Sequence, residues 1–166
     1  IADSPRTKEW PWLSALAEFE WTRLSAFDVQ DAQSLSRDSF QDLSPKQFPQ
    51  MALTFSPSLI LLDSNYAVDR IWAELKDNEQ AMTVAPKNQT VLVWRHEFMV
   101  CHRTLPENES MALRTALRGE TYAKVCSIFT DEKIPISEAA QTAFNTLLRW
   151  IDEGLICGVT LKERKE

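Results

Sequence analysis

The sequence predicts an α+β fold: a small antiparallel sheet with packed helices, and a C-terminal half that is winged-helix-like. Apolar runs at 51–55 and 59–62 and an alternating hairpin pattern over 90–105 supply the strands. Three helical stretches then follow directly, at 106–118, 121–129 and 138–153, and a short apolar segment at 155–161 reads as a closing strand. The 166 residues are 44% hydrophobic and 25% charged, the balance of a chain able to bury a core.

In chain order, residues 1–9 are polar and contain Pro5, and read as a linker or arm ahead of a single recognition domain over 10–161. A helix is predicted over 11–27, with Pro11 in its first turn. Leu13, Leu16, Ala17, Leu24 and Phe27 share one face at about 100° per residue, and Glu20 falls near the centre of that face. Residues 28–49 are rich in Ser, Asp and Gln and read as a loop with one helical turn near 45–48. A short helix is predicted over 67–76, with Val68, Ile71, Trp72 and Leu75 on one side, and a polar loop over 77–89. In the hairpin, turning at His96 and Glu97, Val91 and Val93 point one way and Leu92 and Trp94 the other, so both faces carry apolar groups. Gly119 stops the first of the three late helices, and Ser137 and Gly154 bracket the third. Residues 162–166 read as a charged tail.

Composition narrows the function classes. The net charge is −6 with a pI near 5.0, where a nucleic-acid binder needs a basic face to displace counterions from phosphates. The polar face of the third helix carries Glu138, Asp152 and Glu153 against Arg149, an arrangement that repels a phosphate backbone. A DNA-binding transcriptional regulator stays as the second reading. Three cysteines, Cys101, Cys126 and Cys157, form neither an even set nor a C-x-x-C pair, so a disulfide framework and a zinc site are not expected, and reduced thiols point to the cytoplasm. The longest apolar run, at 59–62, is far too short for a membrane span.

Chemistry-bearing constellations are sparse, and no catalytic residue, metal ligand or cofactor is expected on this chain. His96 and His102 straddle the hairpin turn, and Cys101 and His102 are strand neighbours whose side chains leave opposite faces. Three glycines leave little room for a phosphate-cradling loop. Glu20, inside an apolar stripe, is expected to be a structural buried carboxylate with a partner; a general acid/base role and a role in specifying an interface are the lesser alternatives. The strand after the hairpin turn suits an extended peptide added along a sheet edge, with Trp150 on the third helix either lining a groove beside it or packed in the core.

The segment Leu16-Ala17-Glu18-Phe19-Glu20-Trp21 resembles the opening of the second domain of HvfC/BufC-family proteins. Phe55-Ser56-Pro57-Ser58-Leu59 with Tyr66, Val68, Ile71 and Trp72 fits the same pattern. So do Val91-Leu92-Val93-Trp94-Arg95 and the stretch from Leu148 through Trp150 and Gly154 to Ile156. Together these span residues 10–156. The resemblance implies an upstream all-helical domain that is absent here. It also implies a non-catalytic partner of an MNIO enzyme, a multinuclear iron-dependent oxidase that modifies cysteines in ribosomally made precursor peptides. The iron would belong to the enzyme, and this chain would form a heterodimer with it and present the precursor's leader. A looser likeness over 90–161, from the hairpin through Arg118-Gly119-Glu120-Thr121 to Glu153-Gly154-Leu155-Ile156, is to PqqD-like peptide-recognition elements. Carried over, it implies a peptide-contact set of Phe98, Met99, Val100, Cys101, His102, Arg103 and Thr104 on the strand, with Ala143, Thr146 and Trp150 on the third helix.

Overall fold

The structure, a computed structural model, describes residues 10–77, 84–131 and 133–162. The expected arm at 1–9, part of the expected loop (78–83) and most of the expected tail (163–166) lie outside the described residues. The fold is α+β, with five α-helices and two small antiparallel sheets of three and two strands among the described residues. Within the 10–161 span, the chain groups into two compact units. One comprises the chain up to Val29 with Ser58–Leu105; the other comprises Gln30–Pro57 with the chain from Pro106 onward. The 90–161 subregion is divided between them, its hairpin in the first and its helices and closing strand in the second.

The first unit holds helix α1 (Leu13–Asp28), strand β2 (Ile60–Ser64), helix α2 (Val68–Asp77) and the hairpin strands β3 (Gln89–His96) and β4 (Met99–Leu105); strand β1 (Met51–Phe55) precedes β2 in the chain and belongs to the second unit. The sheet order is β2-β3-β4, so β3 is central and hydrogen-bonded on both sides. Val91, Leu92, Val93 and Trp94 are consecutive and all buried, which is what a strand covered on both faces requires. On one face Val91 and Val93 join Leu62, Val68 and Ile71 beneath Leu16, Phe19 and Ala26 of α1 and Trp12 just before it. The end of α1 has no glycine cap. The Arg95 guanidinium supplies the missing donors instead, to the carbonyls of Phe27 and, at 2.6 Å, Val29.

The phase of α1 corrects the sequence expectation. Its buried residues are Leu16, Phe19, Thr22 and Ala26, whereas Leu24 and Phe27 are each 51% exposed. Glu20 is exposed as well, so it is not a buried carboxylate. Two apolar stripes compete for the sheet on this helix. The one centred on the Phe19 ring, with Trp12 about two turns before it, is bulkier, and its one charged member, Arg23, finds His102 as a partner, so it is the stripe that is buried.

The second unit holds β1, helices α3 (Glu107–Leu117), α4 (Tyr122–Cys126) and α5 (Ile136–Asp152), and strand β5 (Ile156–Leu161). β1 and β5 pair antiparallel from Met51 opposite Leu161 to Phe55 opposite Ile156, with a register shift between Thr54 and Phe55. Gly119 and Gly154 adopt φ of +74° and +69°, ending α3 and α5 as expected. Gly154 N–H donates to Ile151 and Leu155 N–H to Trp150, closing the last turn of α5. The start of α5 differs from expectation: it follows Pro135, without a side-chain cap, and Ser137 lies inside the first turn.

Trp150 is fully buried, with its indole N–H donating to Glu109 at 3.0 Å and its ring edge-on to Phe55 at 5.8 Å. Trp150→Phe keeps an aromatic ring but shrinks it and leaves a buried carboxylate oxygen short of a donor. It is expected to cost about 1–3 kcal/mol in urea unfolding followed by circular dichroism. Glu20→Ala, at an exposed site, is expected to stay within about 0.5 kcal/mol of wild type.

Candidate functional site: the outer strand of the hairpin

β4 is an edge strand: β3 pairs along one side of it, and no described strand pairs along the other. Its alternation sorts the expected contact residues. Val100 packs on the core of the first unit, His102 meets Phe19 and Trp72, and Thr104 donates to Asp69 at 2.9 Å. Met99, Cys101 and Arg103 leave the opposite face, registered against His96, Trp94 and Leu92. The turn lies one residue later than expected, at Glu97 and Phe98, because His96 pairs with Met99. Glu97 has φ +53°, in the region that favours glycine, so the turn stores about 1–2 kcal/mol of backbone strain. That turn projects Phe98, 89% exposed, and Met99, 66% exposed, at the start of the edge strand.

Behind β4 sits a compact cationic and aromatic cluster. The His102 ring is edge-on to Phe19 at 5.1 Å and to Trp72 at 5.5 Å. Arg23 lies 4.4 Å from the centre of the Trp72 ring and donates to His102 Nδ1 at 2.5 Å. An arginine only donates, so Nδ1 is the acceptor and the imidazole proton sits on Nε2. Burial, and then the Arg23 charge, hold the His102 pKa below its ordinary value, with Asp69 pulling weakly the other way. For Asp69, burial pushes its carboxyl up, but bonds from Gln89, Thr104 and backbone N–H groups outweigh it, and the net direction is down. Cys101 and His102 lie on opposite faces, and the imidazole Nδ1 is held by Arg23. This is a rigid brace for the edge strand, and none of these contacts sequence spacing alone revealed: the partners Arg23, Asp69 and Trp72 come from two helices.

The helix part of the expected contact set fares differently. Trp150 is fully buried and Ala143 is buried, its carbonyl accepting the Tyr122 hydroxyl at 3.0 Å, so neither side chain is presented to a peptide. Burial also pushes the Tyr122 hydroxyl pKa upward, which keeps it a donor. Of the two positions expected for Trp150, the core one is found: the buried stripe of Ala139, Ala143, Leu147, Trp150 and Ile151 includes it, paired to a carboxylate from α3. Thr146 is half-buried, with its hydroxyl donating to Thr142. On the polar face of α5, Arg149 reaches Glu109 at 3.5 Å and Asp152 is held by Arg37 in a bidentate pair. Both charges face carboxylate or guanidinium partners of this chain.

Among the described residues, no three His, Cys, Asp or Glu side chains gather into a group able to hold a metal ion. None of the three cysteines is in a disulfide, all are half-buried, and burial raises the pKa of Cys126 and Cys157. No described helix is long and apolar enough to cross a membrane. The chain matches no known family model, no curated protein and no solved structure.

The His102 brace sets a pH dependence. A base whose pKa is lowered on folding is protonated more readily in the unfolded chain, so its contribution is complete above the ordinary value of 6.5 and is lost as pH falls through the lowered one. Urea midpoints are therefore expected to drop between about pH 7.5 and about pH 5.5. His102→Gln should flatten that slope. An unchanged slope in His102→Gln assigns the dependence to other groups. The Asp69 contribution acts in a separate window, below its ordinary 3.8.

Proposed function

We propose that this protein is a non-catalytic recognition and docking subunit that takes an extended peptide along the outer edge of β4. The single observation that carries this reading is the edge position of β4 in the β2-β3-β4 sheet. An edge strand offers main-chain hydrogen bonding to a guest strand, and flanking side chains add selectivity. The strained turn that lifts Phe98 and Met99 beside that edge supplies apolar anchor groups. The Arg23, His102 and Asp69 contacts hold the strand in place before the guest arrives, which lowers the ordering cost of binding.

In its specific form the reading follows the HvfC/BufC resemblance. The guest is the leader of a ribosomally made, cysteine-containing precursor peptide, and the second partner is a multinuclear iron-dependent oxidase acting on it in the cytoplasm. The contact set is the strand residues with Phe98; Ala143 and Trp150 are withdrawn from it.

The test is titration of the purified chain with the precursor peptide and, separately, co-expression with the oxidase followed by pull-down. Phe98→Ala combined with Met99→Ala is expected to weaken peptide binding about tenfold. Methylating alternate backbone nitrogens of the peptide is expected to abolish it, because added strands bind through their main chain. Equal affinity for methylated and unmodified peptide would sink strand addition. Tight, steeply salt-sensitive binding to duplex DNA, with no peptide binding, would replace this reading with the DNA-regulator one.

A further inference from the structure

Helix α1 carries a second apolar seam on the flank beside its buried stripe. Leu13, Ala17, Glu20, Leu24 and Phe27 are spaced four, three, four and three residues apart, which is the a/d spacing of one helix laid along another. Phe19, Leu16 and Ala26 take the sheet side, and Leu13 at the start of the seam still touches that core. From Ala17 onward the seam turns outward. Leu24 and Phe27 are each 51% exposed, and the adjoining Trp21 is 70% exposed. Single exposed apolar residues are ordinary, but three within two turns on one helix face are a patch. Glu20 sits at the midpoint of the seam, and it has no hydrogen bond or ion pair within the described residues. Beside it a cavity of about 390 Å³ opens between α1 and α2, lined by Leu16, Glu20, Trp72, Leu75 and Lys76.

We propose that this outer face of α1 is a protein-docking seam for an amphipathic helix of the modifying enzyme, one that sets a lysine or arginine against Glu20 among apolar side chains. The argument for that occupant is spacing and charge. The 4-3-4-3 pattern selects a helix rather than an extended strand. A carboxylate in the middle of an apolar seam penalises a purely apolar partner, which would strip its water without replacing the bond, and favours a cation. A second copy of the chain is disfavoured by the same group. Pairing the seam in register, parallel or antiparallel about its midpoint, brings Glu20 against Glu20. The Arg95 bonds to Phe27 and Val29 fix the end of the helix, so the seam is preformed. The seam residues belong to α1 and the peptide-contact residues to β4 and its turn, so enzyme and peptide engage different side chains. The inference rests on the functional reading above for the identity of the partner.

The test measures affinity of the full chain for the purified oxidase and for the precursor peptide in parallel, with Leu24→Glu, Glu20→Arg and wild type. Both variants are expected to lose about tenfold or more in affinity for the enzyme and to keep peptide affinity within about twofold. Reversing one enzyme lysine or arginine to glutamate should restore binding to Glu20→Arg selectively. Both altered residues are exposed, and retained peptide binding reports an intact fold. Enzyme affinity unchanged in both variants overturns the seam and leaves the functional reading standing. Wild type that binds neither enzyme nor peptide overturns the reading and the seam with it. A wild-type dimer in sedimentation that Leu24→Glu dissolves assigns the seam to a second copy and overturns the enzyme as occupant.

Discussion

The burial of β3 on both faces is the constraint from which the first unit follows. Val91, Leu92, Val93 and Trp94 have no polar side among them, so neither face of the strand can be left to water. Neighbouring strands satisfy its backbone on both sides, which makes β2 and β4 edges by necessity. The Val91 and Val93 face draws α1 and α2 over the sheet. The next residue, Arg95, then closes the open carbonyl end of α1. One run of four residues thus determines which strand is an edge, where the first helix lies and how it ends.

The same packing decides what the polar groups near β4 can do. His102 faces inward because alternate strand residues must, and there it meets Phe19, Trp72 and the Arg23 guanidinium. Burial, and then the neighbouring guanidinium, hold the imidazole pKa below its ordinary value, and Nδ1 acts as an acceptor. Asp69 does the complementary work at the other end of the strand, taking bonds from Thr104 and Gln89. The polar side chains around β4 hold its geometry, and the exposed apolar groups lie at its turn.

In the second unit a buried carboxylate plays the organising part that Glu20 was expected to play in the first. Glu109 is buried and receives the Trp150 indole N–H and the Arg149 guanidinium. A buried charge is tolerable when its partners are close and directional, and this one links α3 to α5. It also explains why Trp150 is core, since an indole buried without an acceptor would forfeit its hydrogen bond.

Much of this molecule was legible in the sequence. The α+β class, the hairpin, the helix-ending glycines at 119 and 154 and the two-sided apolar character of Val91–Trp94 follow from local propensity and period, which need only neighbouring residues. What the sequence left open was the choice between equivalent local answers. Helix α1 has two apolar stripes at helical spacing, and only the fit of Phe19 and Trp12 against Val91 and Val93 selected one, turning Glu20, Leu24 and Phe27 outward. The contacts of Arg23 and Asp69 with β4 and of Glu109 with Trp150 join residues far apart in the chain, so no periodicity encodes them. Sequence determined which segments become helix or strand because hydrogen bonding along a segment is local; tertiary structure decided which face each segment buries, because burial is a property of pairs of surfaces.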